Sequence, residues 1–235
     1  MKKTYFISGI DTDCGKTIAT GIMAKSLHHY GHKVITQKFI QTGNIGYSED
    51  IEKHRELMGV NLFQEDFDHT TAPLVYSTPV SPHLAAEIDV KEVDIQKVYD
   101  ATQTLEKRFD HILLEGAGGL MVPYSRSQTT LDYLKASALP LILVTSSKLG
   151  SINHTLLSLE VIKKYDIPLH GVVYNHLPHV ENFQAVDTVN IIKTYLSENF
   201  QGVLFTEIPN IEDHKNYTIP EPVIEQWFKQ ERIIS

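Results

Sequence analysis

Short apolar runs along this chain alternate with longer stretches whose apolar residues recur at helical spacing. Tyr5–Ile7, Val34–Phe39, His111–Glu115, Pro140–Thr145, Leu169–Tyr174 and Val203–Thr206 read as strands. Between them, Lys16–Tyr30 predicts a helix with Ile18, Ile22 and Leu27 on one side and Gly31 as its stop. Glu49–Met58 is polar and helical, closed by Gly59. Ser81–Glu87 looks like a capped helix start with proline in the first turn. Asp94–Arg108, Thr130–Ala138, a stretch carrying Ile152, Leu156, Leu159 and Ile162, residues 183–199 and a terminal segment 223–230 complete the helices. Residues 60–80, with Pro73 and Pro79, read as irregular. Strands that are apolar throughout cannot present a wet face, so they predict a parallel sheet covered by helices on both sides. No repeat, low-complexity tract or linker interrupts the pattern, and a single domain over 1–235 is the simplest organisation. In such sheets ligands bind outside the carboxyl ends of the strands.

Those ends carry the chemistry. After the first strand comes Gly9-Ile10-Asp11-Thr12-Asp13-Cys14-Gly15-Lys16-Thr17, which opens into a helix. A strand, a glycine-bearing turn and Gly-Lys-Thr at a helix start form a phosphate cradle, with backbone N–H groups aimed at an anion. Lys16 can reach the outer phosphates and the Thr17 hydroxyl can ligate Mg²⁺. Gly9 and Gly15 enclose five residues where the usual pattern has four. Cys14 reads as a small side chain in a crowded turn. Glu115 closes an apolar strand, as a metal-holding carboxylate does in ATP-hydrolysing folds, and Gly116-Ala117-Gly118-Gly119 after it lets backbone approach a phosphate. Lys38 ends another strand, where a cation can stabilise charge on a transferred group. Asp50, at the start of a helix, can reach the metal or answer the helix dipole. Asn175 and His176 end a fourth strand.

Composition narrows the partners. The 235-residue chain is long enough for a sizeable core, and its 42% hydrophobic content is that of a globular protein. Its formal net charge of −8 argues against nucleic-acid binding, which rests on phosphate neutralisation. One cysteine permits no internal disulfide and suits a reducing cytoplasm. Neither a signal segment nor an apolar run of membrane-spanning length is visible. His28, His29 and His32 cluster near a helix end and read as solvated.

Taken together, the motifs resemble one family over nearly the whole chain, the dethiobiotin synthetases, ATP-dependent enzymes of biotin synthesis. The matching pieces are the phosphate loop with its five-residue gap, Lys38 with Thr42-Gly43, and Ser81-Pro82-His83. Glu115 to Gly119, Lys148-Leu149-Gly150-Ser151-Ile152-Asn153-His154 and Glu207-Ile208-Pro209 complete the set. The resemblance implies a P-loop NTPase-like α/β fold and a reaction on 7,8-diaminononanoate. One amine takes up CO₂, ATP phosphorylates the carbamate, and the other amine closes a cyclic urea. It implies Lys38, Lys16 and Thr12 as catalytic groups and Thr42 with Ser151, Ile152 and Asn153 as substrate contacts. It implies Mg²⁺ on Thr17, Asp50 and Glu115. The nucleotide would be held by Asp13, Cys14, Gly15, Lys16, Thr17, Ile18, Asp50, Glu115, Gly116, Ala117 and Gly118. Asn175, His176, Pro209, Asn210 and Ile211 would frame the adenine.

The family is dimeric, and the helix start at Ser151 is expected to hold the substrate carboxylate in the neighbouring subunit's site. The chain departs from the family where Phe39 follows Lys38 instead of proline, where Thr42 replaces serine, and where Asp13 replaces glutamate. His176 also stands for an acidic residue, and Phe183 is the nearest candidate for a substrate-tail tyrosine. Partition-type switch ATPases share the fold, but they carry an early loop lysine that residues 10–14 lack. An amidotransferase-type synthetase needs a nucleophilic cysteine outside the phosphate loop, and a pure binding module would not gather these groups on one rim.

Overall fold

A computed structural model of the chain describes residues 4–210 and 214–228. In chain order the elements begin β1 (Thr4–Gly9), α1 (Lys16–His29), β2 (Val34–Lys38), β3 (Gln41–Thr42), α2 (Glu49–Met58), α3 (Gln64–Phe67) and β4 (Val75–Tyr76). There follow α4 (Pro82–Ile88), α5 (Ile95–Glu106), β5 (His111–Gly119), α6 (Thr130–Ser137), β6 (Leu141–Ser146) and α7 (Ser151–Lys164). The chain then forms β7 (Leu169–Asn175), α8 (Asn182–Asn199), β8 (Leu204–Ile208), a 3₁₀ turn at His214–Asn216 and α9 (Glu221–Trp227).

Six strands form one sheet in the order β2-β5-β1-β6-β7-β8, and every neighbouring pair is parallel. Successive side chains on a strand point to opposite faces, which divides the core in two. Phe6, Leu114, Leu143 and Val172 face a layer containing Leu131 and Leu134 of α6, Leu159 of α7 and Ile192 of α8. Ile7, Leu113, Ile142 and Val173 face Ile22, Met23 and Leu27 of α1 with Ile224 and Trp227 of α9. The predicted double-sided α/β sheet is therefore present. Leu114 is fully buried, and its replacement by alanine should cost about 2–5 kcal/mol.

Three departures from the sequence expectation have physical causes. Residues 60–80 contain α3 and β4, and β4 pairs parallel with β3 in a two-residue ladder, Gln41 with Val75 and Thr42 with Tyr76. So short a pairing leaves no periodic trace. β5 continues four residues beyond Glu115 through its glycines, with Gly119 paired to Gly9 after a register shift. Glycine tolerates that close backbone approach. His28 and His29 are exposed, whereas His32 is half-buried, its ring 5.1 Å from that of His111. The predicted terminal helix runs over Glu221–Trp227, and residues 229–230 of that expectation lie outside the described residues. Among the described residues, no helix is long and apolar enough to cross a membrane.

Candidate active site

The carboxyl ends of β1, β2 and β5 meet the small β3–β4 ladder and the start of α2 around a cleft of about 890 Å³. Thr12, Asp13, Gly15, Lys16, Thr17 and Ile18 line one wall, with Lys38, Thr42, Asp50, Glu115, Ala117 and Gly118 around the rest.

The wall at the head of α1 follows from local chain geometry. Gly15 has φ 86°, and α1 begins without a side-chain cap. Its first N–H groups are therefore free of side-chain acceptors and available to an anion. A Cβ on Gly15 would lie 1.8 Å from Asn175 Nδ2, and one on Gly9 would lie 2.5 Å from Cys14 Sγ. The left-handed backbone at Gly15 favours glycine, and a Cβ at either position would force its neighbours to shift. Cys14 is buried with its thiol against the carbonyl of Val144, 3.5 Å away, as a packing residue. Lys16 Nζ folds back onto the carbonyl of Asp11 at 2.9 Å.

The charged centre comes from strand register. β2 and β5 are neighbours, and Lys38 pairs directly with Glu115. Lys38 Nζ lies 2.9 Å from Glu115 Oε1, 2.5 Å from Asp50 Oδ2 and 3.2 Å from the carbonyl of Gly116. The Thr17 hydroxyl lies 2.8 Å from Asp50 Oδ1 and 3.2 Å from Glu115 Oε1. Burial opposes charge on Lys38, but the two carboxylates outweigh it and hold the ammonium well above its ordinary pKa. Burial likewise opposes ionisation of Glu115, and Lys38 with His54 outweighs it and keeps the carboxyl far below its ordinary pKa. Lys38 thus brings a fixed positive charge to the cleft.

Thr17, Asp50 and Glu115 present three oxygen-bearing side chains around one point. That donor set fits Mg²⁺, a hard ion that keeps waters and substrate phosphates as its other ligands. Among the described residues, no group of three or more His, Cys, Asp and Glu side chains is placed to hold a metal ion.

His54 was not singled out from sequence. It sits one turn beyond Asp50 on α2, is fully buried, and places Nε2 2.8 Å from Glu115 Oε2. The only sequence signal was its spacing of four residues from Asp50. Gln41 and Ser48 were also passed over. Ser48 caps α2 by accepting from the Ile51 N–H and donates to Gln41 Oε1 at 2.6 Å, tying the helix to the strand that carries Thr42.

Among the described residues, the remaining candidates do not line this cleft. Asn175 is buried, its Oδ1 accepting from the Leu177 N–H, while Nδ2 faces Gly15 with no hydrogen-bond partner. His176 turns to Glu207, with Nε2 2.9 Å from Oε2. Asn210 meets the His179 ring at 3.1 Å, and Pro209 is half-buried. Ile211 lies outside the described residues. Gly116 lines no part of the cleft itself but supplies its carbonyl to Lys38.

Ser151, Ile152 and Asn153 are away from this cleft. Ser151 borders a separate recess of about 50 Å³ with Lys148 and Leu149 on the outer side of the phosphate loop. The Ser151 N–H already donates to the Lys148 carbonyl, and Leu149 is 98% exposed. Phe183 is also exposed, outside the cleft.

Comparison with known proteins agrees with this architecture. The family described as AAA domain matches residues 3–218. An ATP-dependent dethiobiotin synthetase of Pasteurella multocida is 48% identical over 205 residues, covering 87% of this chain and 96% of the relative. Its counterpart in Haemophilus influenzae is 51% identical, covering 77% and 95%, and that of Chlorobaculum tepidum is 45% identical, covering 81% and 80%. Among solved structures, the MinC:MinD cell division complex of Aquifex aeolicus superposes with TM-score 0.54 at 16% identity, covering 92% of this chain and 86% of that one. A plasmid partition protein of Borrelia burgdorferi bound to AMPPNP gives 0.52 at 15%, covering 96% and 94%. At those identities the structural likeness speaks for the fold alone.

Proposed function

This chain belongs to the ATP-dependent dethiobiotin synthetases, and on that premise we propose how its cleft divides the work. The enzyme is an ATP-dependent ligase of biotin biosynthesis that forms carbon–nitrogen bonds. Its substrates are ATP and 7,8-diaminononanoate, with CO₂ as the third. One amine of the diamine adds to CO₂ and loses a proton, giving a carbamate. The carbamate oxygen attacks the γ-phosphorus of ATP, and ADP leaves. The second amine then attacks the carbamoyl carbon, phosphate leaves with the activated oxygen, and the cyclic urea closes.

A carbamate oxygen is a poor leaving group until phosphorylated, so the protein's task is to position reactants and neutralise charge. Lys16 and the free N–H groups at the head of α1 hold the outer phosphates. Lys38, charged and anchored between two carboxylates, faces the carbamate and the transferring phosphoryl group. Thr12 and Thr42, which both line the cleft, hold the reacting groups. Thr17, Asp50 and Glu115 would hold Mg²⁺, which would offset the negative charge of the phosphates. Asn175 offers its unpaired amide to the adenine, with His176, Pro209, Asn210 and Ile211 around the base.

The chain acts as one domain in the cytoplasm and pairs with a second copy. The exposed turn before α7, with Ser151, Ile152 and Asn153 at the helix start, reaches the partner's site and holds the substrate carboxylate. The observation that carries this reading is the convergence of Lys16, Lys38, Thr17, Asp50 and Glu115 on one cleft. Phosphate release from Mg·ATP, measured with and without 7,8-diaminononanoate and bicarbonate, tests it. Diamine-dependent release with a product of the cyclic urea's mass is expected. Diamine-independent hydrolysis would reject it.

A further inference from the structure

The two oxygens of Glu115 have different neighbours. Oε1 faces the cleft side, 2.9 Å from Lys38 Nζ and 3.2 Å from the Thr17 hydroxyl. Oε2 faces away from them, 2.8 Å from His54 Nε2. Both Glu115 and His54 are fully buried, so water does not compete for this contact. An ionised carboxylate only accepts hydrogen bonds, which places the proton on Nε2 as donor. His54 follows Asp50 by four residues on α2, so one helix stripe presents a cleft carboxylate and, one turn on, the group that grips Glu115.

The other ring nitrogen, Nδ1, is buried with no hydrogen-bond partner. An orphaned polar atom in the interior is a cost that an apolar side chain of similar size would avoid. What the imidazole adds at this position is the Nε2 donor. A carboxylate held by one oxygen alone can rotate about its last bond. Gripping Oε2 fixes the carboxylate plane and with it the direction of Oε1.

We propose that His54 is a positioning residue for the metal site, holding Glu115 so that Oε1 is aimed at the point shared with Thr17 and Asp50. This rests on the reading of Glu115 as a Mg²⁺ ligand. Groups that orient a metal-ligating side chain typically change metal affinity by an order of magnitude or more when removed. The role needs only a hydrogen-bond donor at the Nε2 position.

The test is Mn²⁺ binding to the full chain in the presence of AMPPNP, read from the electron paramagnetic resonance of free Mn²⁺, with thermal unfolding recorded for each variant. His54→Leu should weaken Mn²⁺ binding about 10–100-fold. His54→Gln, whose amide nitrogen can take the place of Nε2, should stay within about threefold of the unaltered protein. Glu115→Gln should weaken binding at least as much as His54→Leu. A folded His54→Leu protein with unchanged Mn²⁺ affinity, beside a weakened Glu115→Gln, would overturn the role of His54 and leave the metal site standing. Unchanged affinity in Glu115→Gln would overturn both readings. A folded His54→Gln as weak as His54→Leu would show that the donor is not what matters and would also overturn the proposal. If His54→Leu does not fold, ¹⁵N NMR of the unaltered protein decides: a protonated Nε2, before and after AMPPNP and Mg²⁺ are added, supports the proposal, and a bare Nε2 overturns it.

Discussion

His54 and Arg55 are consecutive residues of α2, both buried, and they enter two different polar networks. Arg55 grips Asp66 with two nitrogens, Nε at 2.9 Å and Nη2 at 2.8 Å, and gives Nη1 to the Thr36 hydroxyl. Its guanidinium lies 4.8 Å above the Phe63 ring. Asp66 also accepts from the Thr71 hydroxyl and the Phe63 N–H. Planar bidentate geometry and full satisfaction make this a closed unit, which fastens the segment around α3 to α2 and β2. The Lys38–Glu115–Asp50–His54 network uses similar residue types but borders the cleft. It sets one ammonium between two carboxylates beside the phosphate loop and leaves one ring nitrogen of His54 unpaired. Buried ion pairs need their partners in either case. The closed network serves architecture, and the open one is placed where anionic substrates arrive.

Substitutions should separate the two. The largest effect is expected for Lys38→Ala, with turnover falling by more than about a thousandfold while AMPPNP affinity stays within about threefold. Single-turnover phosphate release beside calorimetric titration reads both, and parallel losses would assign Lys38 to nucleotide binding instead. Arg55→Met should do the reverse. Leaving Asp66 buried and unpaired should lower stability by about 3–5 kcal/mol in urea denaturation, with turnover per folded molecule retained. The double variant Arg55→Met, Asp66→Leu should regain most of the loss, and a double variant no more stable than the single one would show that the pair is not an isolated unit.

A smaller effect is expected at the lip of the open network. Gly15→Ala combines a left-handed backbone with a Cβ driven into Asn175, so about 1–3 kcal/mol should be lost in stability, and AMPPNP affinity should fall with it. Unchanged affinity would mean that the loop relaxes without cost.

The smallest effect lies far from both networks. His170 is partly buried on β7, and burial pushes its pKa down against the contribution of the Trp227 carbonyl at 2.7 Å. A depressed histidine pKa favours the neutral form in the fold. Its contribution is therefore complete above the unfolded value near 6.5 and is lost as pH falls through the lower folded value. Unfolding free energies taken from urea titrations between pH 7 and pH 5 should decline less steeply in His170→Asn, by at most about 1.4 kcal/mol per pH unit. Identical slopes would remove His170 from the acid sensitivity.

Much of this was local enough to read along the chain. The strands, the helix after the phosphate loop, the Gly-Lys-Thr triplet and the family resemblance all rest on patterns within a few residues or on ordered motifs. Glu49–Met58 was legible as a polar helix to the residue, but nothing along the chain marks His54 and Arg55 as buried, where the structure places them. A polar side chain can be buried only where a partner meets it, and those partners come from elsewhere: Glu115 lies 61 residues from His54, and Thr36 lies 19 from Arg55. The β3–β4 ladder was likewise invisible, because two-residue strands have no period.

What the sequence by itself determined is the kind of protein: an α/β sheet, a phosphate loop and the set of reactive groups at strand ends. What only the tertiary structure decided is which of those groups touch. Lys38 and Glu115 are 77 residues apart and meet because β5 inserts between β1 and β2 in parallel register. Hydrophobic periodicity encodes which face of an element is buried but carries no record of its neighbour. Strand order and register, set by packing of the whole core, turned separate charges into one site.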